Sequence, residues 1–264
     1  MTGEAHIIKF SDWCDFENVS VGPHQRSVMT ARPNHVGGGV KLTAAVVPEH
    51  YVSLSRFASA LQRLGKPASA MLVDRLPTST TMRSGDLGEI MATAWIDELS
   101  ENYYVPIRRL RWKDHREMAS RGEDAIGIRV RADSEKLEFL KTEAKSRAQL
   151  TRQVLEAARM SLDKDDGKPS PHALVLLSDQ LCSSEQGELA ALVLDALYKH
   201  GISQSDVKHL TFTFSGNSPS KLLDSAILAY SGSIPQLAVG LTVKRHALFI
   251  DDVFKQVIDN ASDA

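Results

Sequence analysis

Between residues 86 and 162 the chain changes its hydrophobic period in an order that few folds can accommodate. Leu87, Ile90, Met91, Ala94 and Trp95 recur at helical spacing and predict a helix over residues 86–99. Residues 103–110, rich in aromatic and β-branched side chains, predict a strand; the charged stretch 111–121 predicts a loop; residues 123–130 and 137–145 predict two further strands. Leu150, Val154, Leu155, Ala158 and Leu162 then return to the helical period over 147–162. The order is helix, strand, strand, strand, helix.

The flanks continue in α/β fashion. Residues 51–64 read as helix and 70–76 as strand on one side. On the other, the apolar run at 172–178 reads as a strand covered on both faces, followed by helix 188–199, strand 210–214, helix 222–230, strand 237–243 and a short helix beginning near Asp251. Gly, Pro, Asp and Lys mark loops at 32–39 and 163–171. We divide the chain into an N-terminal α/β extension (1–80), a core (81–180) and a C-terminal α/β segment (181–264) that completes the fold or docks a partner.

Several function classes fall away on composition. With 264 residues, 42% of them hydrophobic and 24% charged, the chain can bury a substantial core. Its net charge of -2 provides no global basic excess, so nucleic-acid contact must be local. No run approaches the ~18 apolar residues of a membrane helix, and the opening residues lack a basic stretch followed by an apolar one, so a cytoplasmic protein is expected. Cys14 and Cys182 have neither zinc nor disulfide-framework spacing. Gly37-Gly38-Gly39-Val40-Lys41 and Gly167-Lys168-Pro169 lack the order of a phosphate-cradling loop, which argues against an ATPase. The nine histidines show no metal-ligand spacing, and Ser218 lacks the second glycine of a nucleophile elbow.

Four residues carry the chemistry. Glu89 lies in the first helix, Asp124 opens the second strand, and Glu143 and Lys145, two apart near the end of the third, share a face. Three converging carboxylates repel one another unless a cation neutralises them, and hard oxygen ligands favour Mg²⁺ or Mn²⁺. Such an ion polarises a phosphoryl oxygen, while an adjacent lysine steadies the charge that develops during phosphodiester cleavage. Simpler readings fit each residue singly. Glu89 stands three residues after Asp86 and suits a helix-capping box, and Glu143 with Lys145 suits a surface ion pair.

Arg108, Arg109, Arg111, Lys113, Arg116 and Arg121 face only Asp114 and Glu117 within their segment, with Trp112 among them. Interleaved basic and aromatic side chains suit phosphate contact and base stacking; a solvated loop has the same composition. Arg147, with Lys141 and Arg152, extends this basic set.

The motifs Gly85-Asp86-Leu87-Gly88-Glu89-Ile90, Gly122-Glu123-Asp124-Ala125-Ile126-Gly127 and Lys141-Thr142-Glu143-Ala144-Lys145-Ser146 resemble those of the PD-(D/E)xK nuclease superfamily. More narrowly, they resemble the HamA nuclease subunits of Hachiman anti-phage defence and their AbpA relatives. Gly122-Glu123 stands before Asp124 where the superfamily usually has Pro-Asp. The resemblance implies a PD-(D/E)xK core, a mixed sheet flanked by helices, carrying additional α/β elements at both ends. It implies Glu89, Asp124 and Glu143 as metal ligands, Lys145 as catalytic lysine, Mg²⁺-dependent cleavage of DNA, and a helicase partner encoded nearby. The alternative is a non-catalytic nucleic-acid-binding or helicase-regulating subunit that keeps the nuclease fold.

Overall fold

The computed structural model describes residues 8–64, 67–100, 102–119, 122–132, 134 and 136–263. Two antiparallel hairpins bracket a parallel pair. Cys14–Val21 (β1) and His24–Ala31 (β2) form the first hairpin, Ala125–Val130 (β3) and Leu137–Arg147 (β4) the second. Val207–Ser215 (β5) and Gln236–Thr242 (β6) fill the centre, giving the order β1-β2-β6-β5-β4-β3, with β2, β6, β5 and β4 mutually parallel. Each of the three sequence segments supplies two of the six strands.

Helices cover both faces. They are Val36–Tyr51 (α1), Leu54–Leu64 (α2), Pro67–Val73 (α3), Thr80–Leu99 (α4), Arg152–Asp163 (α5), Pro171–Ser183 (α6), Gly187–Asp195 (α7), Ser220–Ala229 (α8) and His246–Asp263 (α9). Because side chains alternate along a strand, Met29, Leu140, Phe212, Phe214 and Val239 enter one core with α1, α4 and α9. Their neighbours Val28 and Ala238 pack on α5 and α8, and Phe139 packs on α6 and α7. This is the expected α/β class, a mixed sheet flanked by helices.

Several local expectations give way. Helix α4 begins at Thr80 rather than near Asp86, because the Ser79 hydroxyl accepts from the Met82 amide at 3.3 Å and caps it there. Glu89 therefore sits inside the helix and takes no part in a capping box. Residues 103–110 form no strand: only Tyr104 bridges to Ile128, the Val105 amide donates to Asp97 instead, and Arg109–Trp112 closes as a 3₁₀ turn. Pro106 has no amide hydrogen with which to continue a ladder.

The run at 172–178 belongs to α6, where Ser170 caps the helix and Pro171 occupies its first turn. Residues 70–76 lie partly in α3, and the loop expected at 32–39 is a 3₁₀ turn, Pro33–His35, leading into α1. The helix expected over 188–199 widens into a π turn at Ala196–His200, α5 starts at Arg152, and α9 starts at His246 rather than near Asp251. Both cysteines are free, and no helix among the described residues is long and apolar enough to cross a membrane.

Candidate active site

Close packing of α4 on the second hairpin builds the site. A Cβ at Gly88 would stand 3.1 Å from the Ser146 Cβ, and one at Gly127 would meet Leu140 at 3.1 Å and Ile96 at 3.3 Å. These two motif glycines let helix and strands approach, bringing Glu89 on α4 toward the mouth of the hairpin. Asp124 precedes β3, and its Oδ2 accepts from the Ala144 amide of β4 at 2.7 Å. The register pairs Ala125 with Thr142, which sets Asp124 level with Glu143. Beside it, the Lys145 ammonium donates to Glu143 Oε1 in a close ion pair.

Arg109 completes the arrangement. Its Nη2 donates to Glu89 Oε2 at 3.2 Å and to Asp124 Oδ1 at 3.5 Å, and Nη1 donates to the Glu123 carbonyl. Two carboxylates from different elements thus share one guanidinium. Side-chain exposure across Arg109, Glu89, Asp124, Glu143 and Lys145 runs only from 12% to 22%. Burial pushes Glu89 up to about 8; Arg109 opposes the shift, and the charges of Asp124 and Asp86 add to it. Burial, then the charge of Glu143, raises Asp124 to about 6 against the pull of Arg109, the Ala144 amide and Lys145. Glu123 turns away, accepting from the Ser170 amide at 2.7 Å.

One turn before Glu89 on α4, Asp86 is 2% exposed and accepts from the Tyr51 hydroxyl at 2.7 Å and from Lys113 Nζ at 2.9 and 3.0 Å. Burial raises the Asp86 carboxyl, with Tyr51 and Lys113 pulling it down. The sequence reading missed this buried pair, although the spacing of Asp86 and Glu89 places both on one helix face. It also missed His246, which burial lowers to about 4. The His246 ring contacts the Ser146 hydroxyl at 2.9 Å, which in turn contacts Ser84 at 2.9 Å, linking α9, β4 and α4.

The basic segment is turned mostly inward. Arg108 pairs with Asp97 at 2.7 Å, Arg111 donates to the Glu49 carbonyl at 2.7 Å, and Lys113 is buried on Asp86. Trp112 (48% exposed), Arg116 and Arg147 remain at the surface. Lys141 is buried, donating to the carbonyls of Lys164 and Lys168, while Arg152 is exposed beside Glu156. Arg121 lies outside the described residues.

Among the described residues, no three His, Cys, Asp or Glu side chains are drawn together as a metal-holding cluster. The donor chemistry nonetheless fits a hard divalent ion. Glu89, Asp124 and Glu143 offer only carboxylate oxygens, and two of them carry an ionisation penalty that one shared arginine leaves incompletely offset.

Fold and geometry together define an α/β protein whose half-buried acidic centre, with its lysine, is shared between a helix and the adjoining β-hairpin. Residues 8–257 match the model of the HamA family, and the chain belongs to that family. The comparison with curated proteins found no match. Membership of the HamA family fits a role in Hachiman defence.

Proposed function

We propose that the chain is a Mg²⁺-dependent DNA nuclease, with Mn²⁺ an acceptable substitute, acting in the cytoplasm in Hachiman anti-phage defence under the control of a helicase partner. One observation carries the reading: half-buried Glu89 and Asp124, from separate elements and both difficult to ionise, lie beside the Glu143–Lys145 pair. Glu89, Asp124 and Glu143 are the residues that would hold the ion. When bound, it polarises the phosphoryl oxygen and eases deprotonation of the attacking water. Lys145 places a compact positive charge where the phosphorane gains negative charge, and Glu143 orients that ammonium. The low exposure of the group keeps bulk water from screening these charges.

Trp112, Arg116 and Arg147 are the side chains of the basic set best placed to meet DNA, through stacking and phosphate contacts. No phosphate-cradling loop is present, so ATP-driven control falls to the partner. The 181–264 segment carries none of Glu89, Asp124, Glu143 and Lys145; it supplies β5, β6 and α9 to the sheet and core, and its outer surface is the docking face we assign to the partner.

A second reading, a non-catalytic subunit that binds nucleic acid or regulates a helicase, draws on Arg109 standing between Glu89 and Asp124. Plasmid incubated with the purified chain and Mg²⁺, with and without the neighbouring helicase and ATP, separates the two. Cleavage is expected with Mg²⁺, and loss of cleavage with EDTA or in Glu143→Ala and Lys145→Ala variants that remain folded. Undiminished cutting in EDTA, or wild-type rates in either variant, removes the metal-dependent assignment.

A further inference from the structure

Arg109 belongs to a short basic turn whose charged neighbours are fastened. Arg108 is held by Asp97, Leu110 is buried, Arg111 is held by Glu49, and Lys113 is buried on Asp86. Held on both sides, the turn delivers the Arg109 guanidinium between Glu89 and Asp124. A guanidinium is a planar fork of donors suited to two carboxylates at once. At 3.2 and 3.5 Å its Nη2 sets a positive charge on the two carboxylates that would also have to hold a divalent ion there. Two cations cannot share that space: their repulsion over a few ångströms in a partly buried site is large.

We propose that Arg109 is the internal counter-ion of the site, tying Glu89 to Asp124 in the metal-free protein and yielding its place to a divalent cation. The inference rests on the metal-dependent reading given above. It converts Arg109 from a DNA-contacting residue into a competitor of the metal. Metal affinity is then set by the difference between ion binding and the loss of the arginine contacts, so the basic turn governs how readily the centre loads.

The test is Mn²⁺ binding to the full chain, by titration calorimetry and by the electron-spin-resonance signal of free Mn²⁺. Arg109→Gln should bind Mn²⁺ at least about ten-fold more tightly than the unaltered protein, because one unit charge at about 4 Å interacts by about 1 kcal/mol even at the screening of bulk water and by about 4 kcal/mol near a protein surface. Adding Glu89→Gln in that background should abolish the gain. In the unaltered chain, phenylglyoxal modification of Arg109, followed by peptide mass spectrometry, should rise as Mn²⁺ saturates the site; this measurement decides the matter if Arg109→Gln does not fold. Equal or weaker Mn²⁺ affinity in folded Arg109→Gln, or unchanged modification at saturating Mn²⁺, overturns the counter-ion role and leaves the metal-dependent nuclease standing. Absence of Mn²⁺ binding in both proteins overturns both.

Discussion

Replacing Lys113 with Met separates a structural cation from a DNA-binding one. Lys113 and Asp86 expose only 4% and 2% of their side chains, and their contacts measure 2.9 and 3.0 Å. Removing the lysine strands a buried carboxylate, which typically costs about 3–5 kcal/mol. In a chain of this size, with ~2–4 °C of melting temperature per kcal/mol, the loss amounts to about 10 °C. Burial already raises the Asp86 pKa, and without Lys113 it rises further. The unfolded chain ionises at the ordinary value of 3.8, so the variant loses stability as pH climbs through the raised folded value. The deficit should therefore be larger at pH 8 than at pH 5. A double variant, Asp86→Asn with Lys113→Met, should recover most of it, because a neutral amide still accepts from Tyr51. Differential scanning calorimetry at both pH values reads the effect. A Lys113→Met protein that melts within about 2 °C of wild type at pH 8, yet shows a shallower salt dependence of DNA binding, would refute the buried-pair argument and return Lys113 to the DNA surface.

Two further outcomes follow from the site. Gly88→Val should cost about 1–3 kcal/mol in urea unfolding, because its branched side chain meets Ser146 where even a Cβ would be only 3.1 Å away, and should weaken Mn²⁺ binding by shifting Glu89; wild-type stability in this variant would contradict the close approach. Glu89 and Asp124 rise from 4.5 and 3.8 to about 8 and about 6 on folding, so the folded state holds protons that the unfolded chain has released. The stability they contribute at low pH is lost as pH rises through that window, and in EDTA the urea midpoint should fall between pH 5 and pH 8, less so with saturating Mg²⁺; a rising midpoint would oppose the assignment.

The elements around the site were legible because they are amphipathic and short-range. The strand pair 123–130 and 137–145 locates β3 and β4 to within two residues, and the 3.6-residue spacing over Leu87–Trp95 locates the C-terminal end of α4, which starts six residues before the expected point. Where the pattern failed, a competing local preference decided. The apolar run at 172–178 resembles a buried strand, but Ser170 and Pro171 start a helix there. Hairpin β1–β2 was not assigned in the sequence, because residues 15–20 are exposed on both faces and show no alternation. Charge was visible and its partners were not. The basic run announces itself, yet its fate depends on Glu49, Asp86 and Asp97, which only the folded chain brings within reach.

The pairing of β2 with β6 bears on synthesis. Met29 lies opposite Leu241, and Gln25 opposite Leu237, so the first hairpin has no neighbouring strand in the sheet until about 200 further residues have been made. Strands β4 and β5 can pair earlier, but among the described residues β6 is the strand that joins the β1–β2 hairpin to the sheet. Non-local pairing of this kind pays its loop-closure entropy before any contact repays it, which slows assembly. A polypeptide released before Gln236 would leave the hydrogen-bonding edges of β2 and β5 open, a template for association with other chains, and would be material for proteolysis or aggregation.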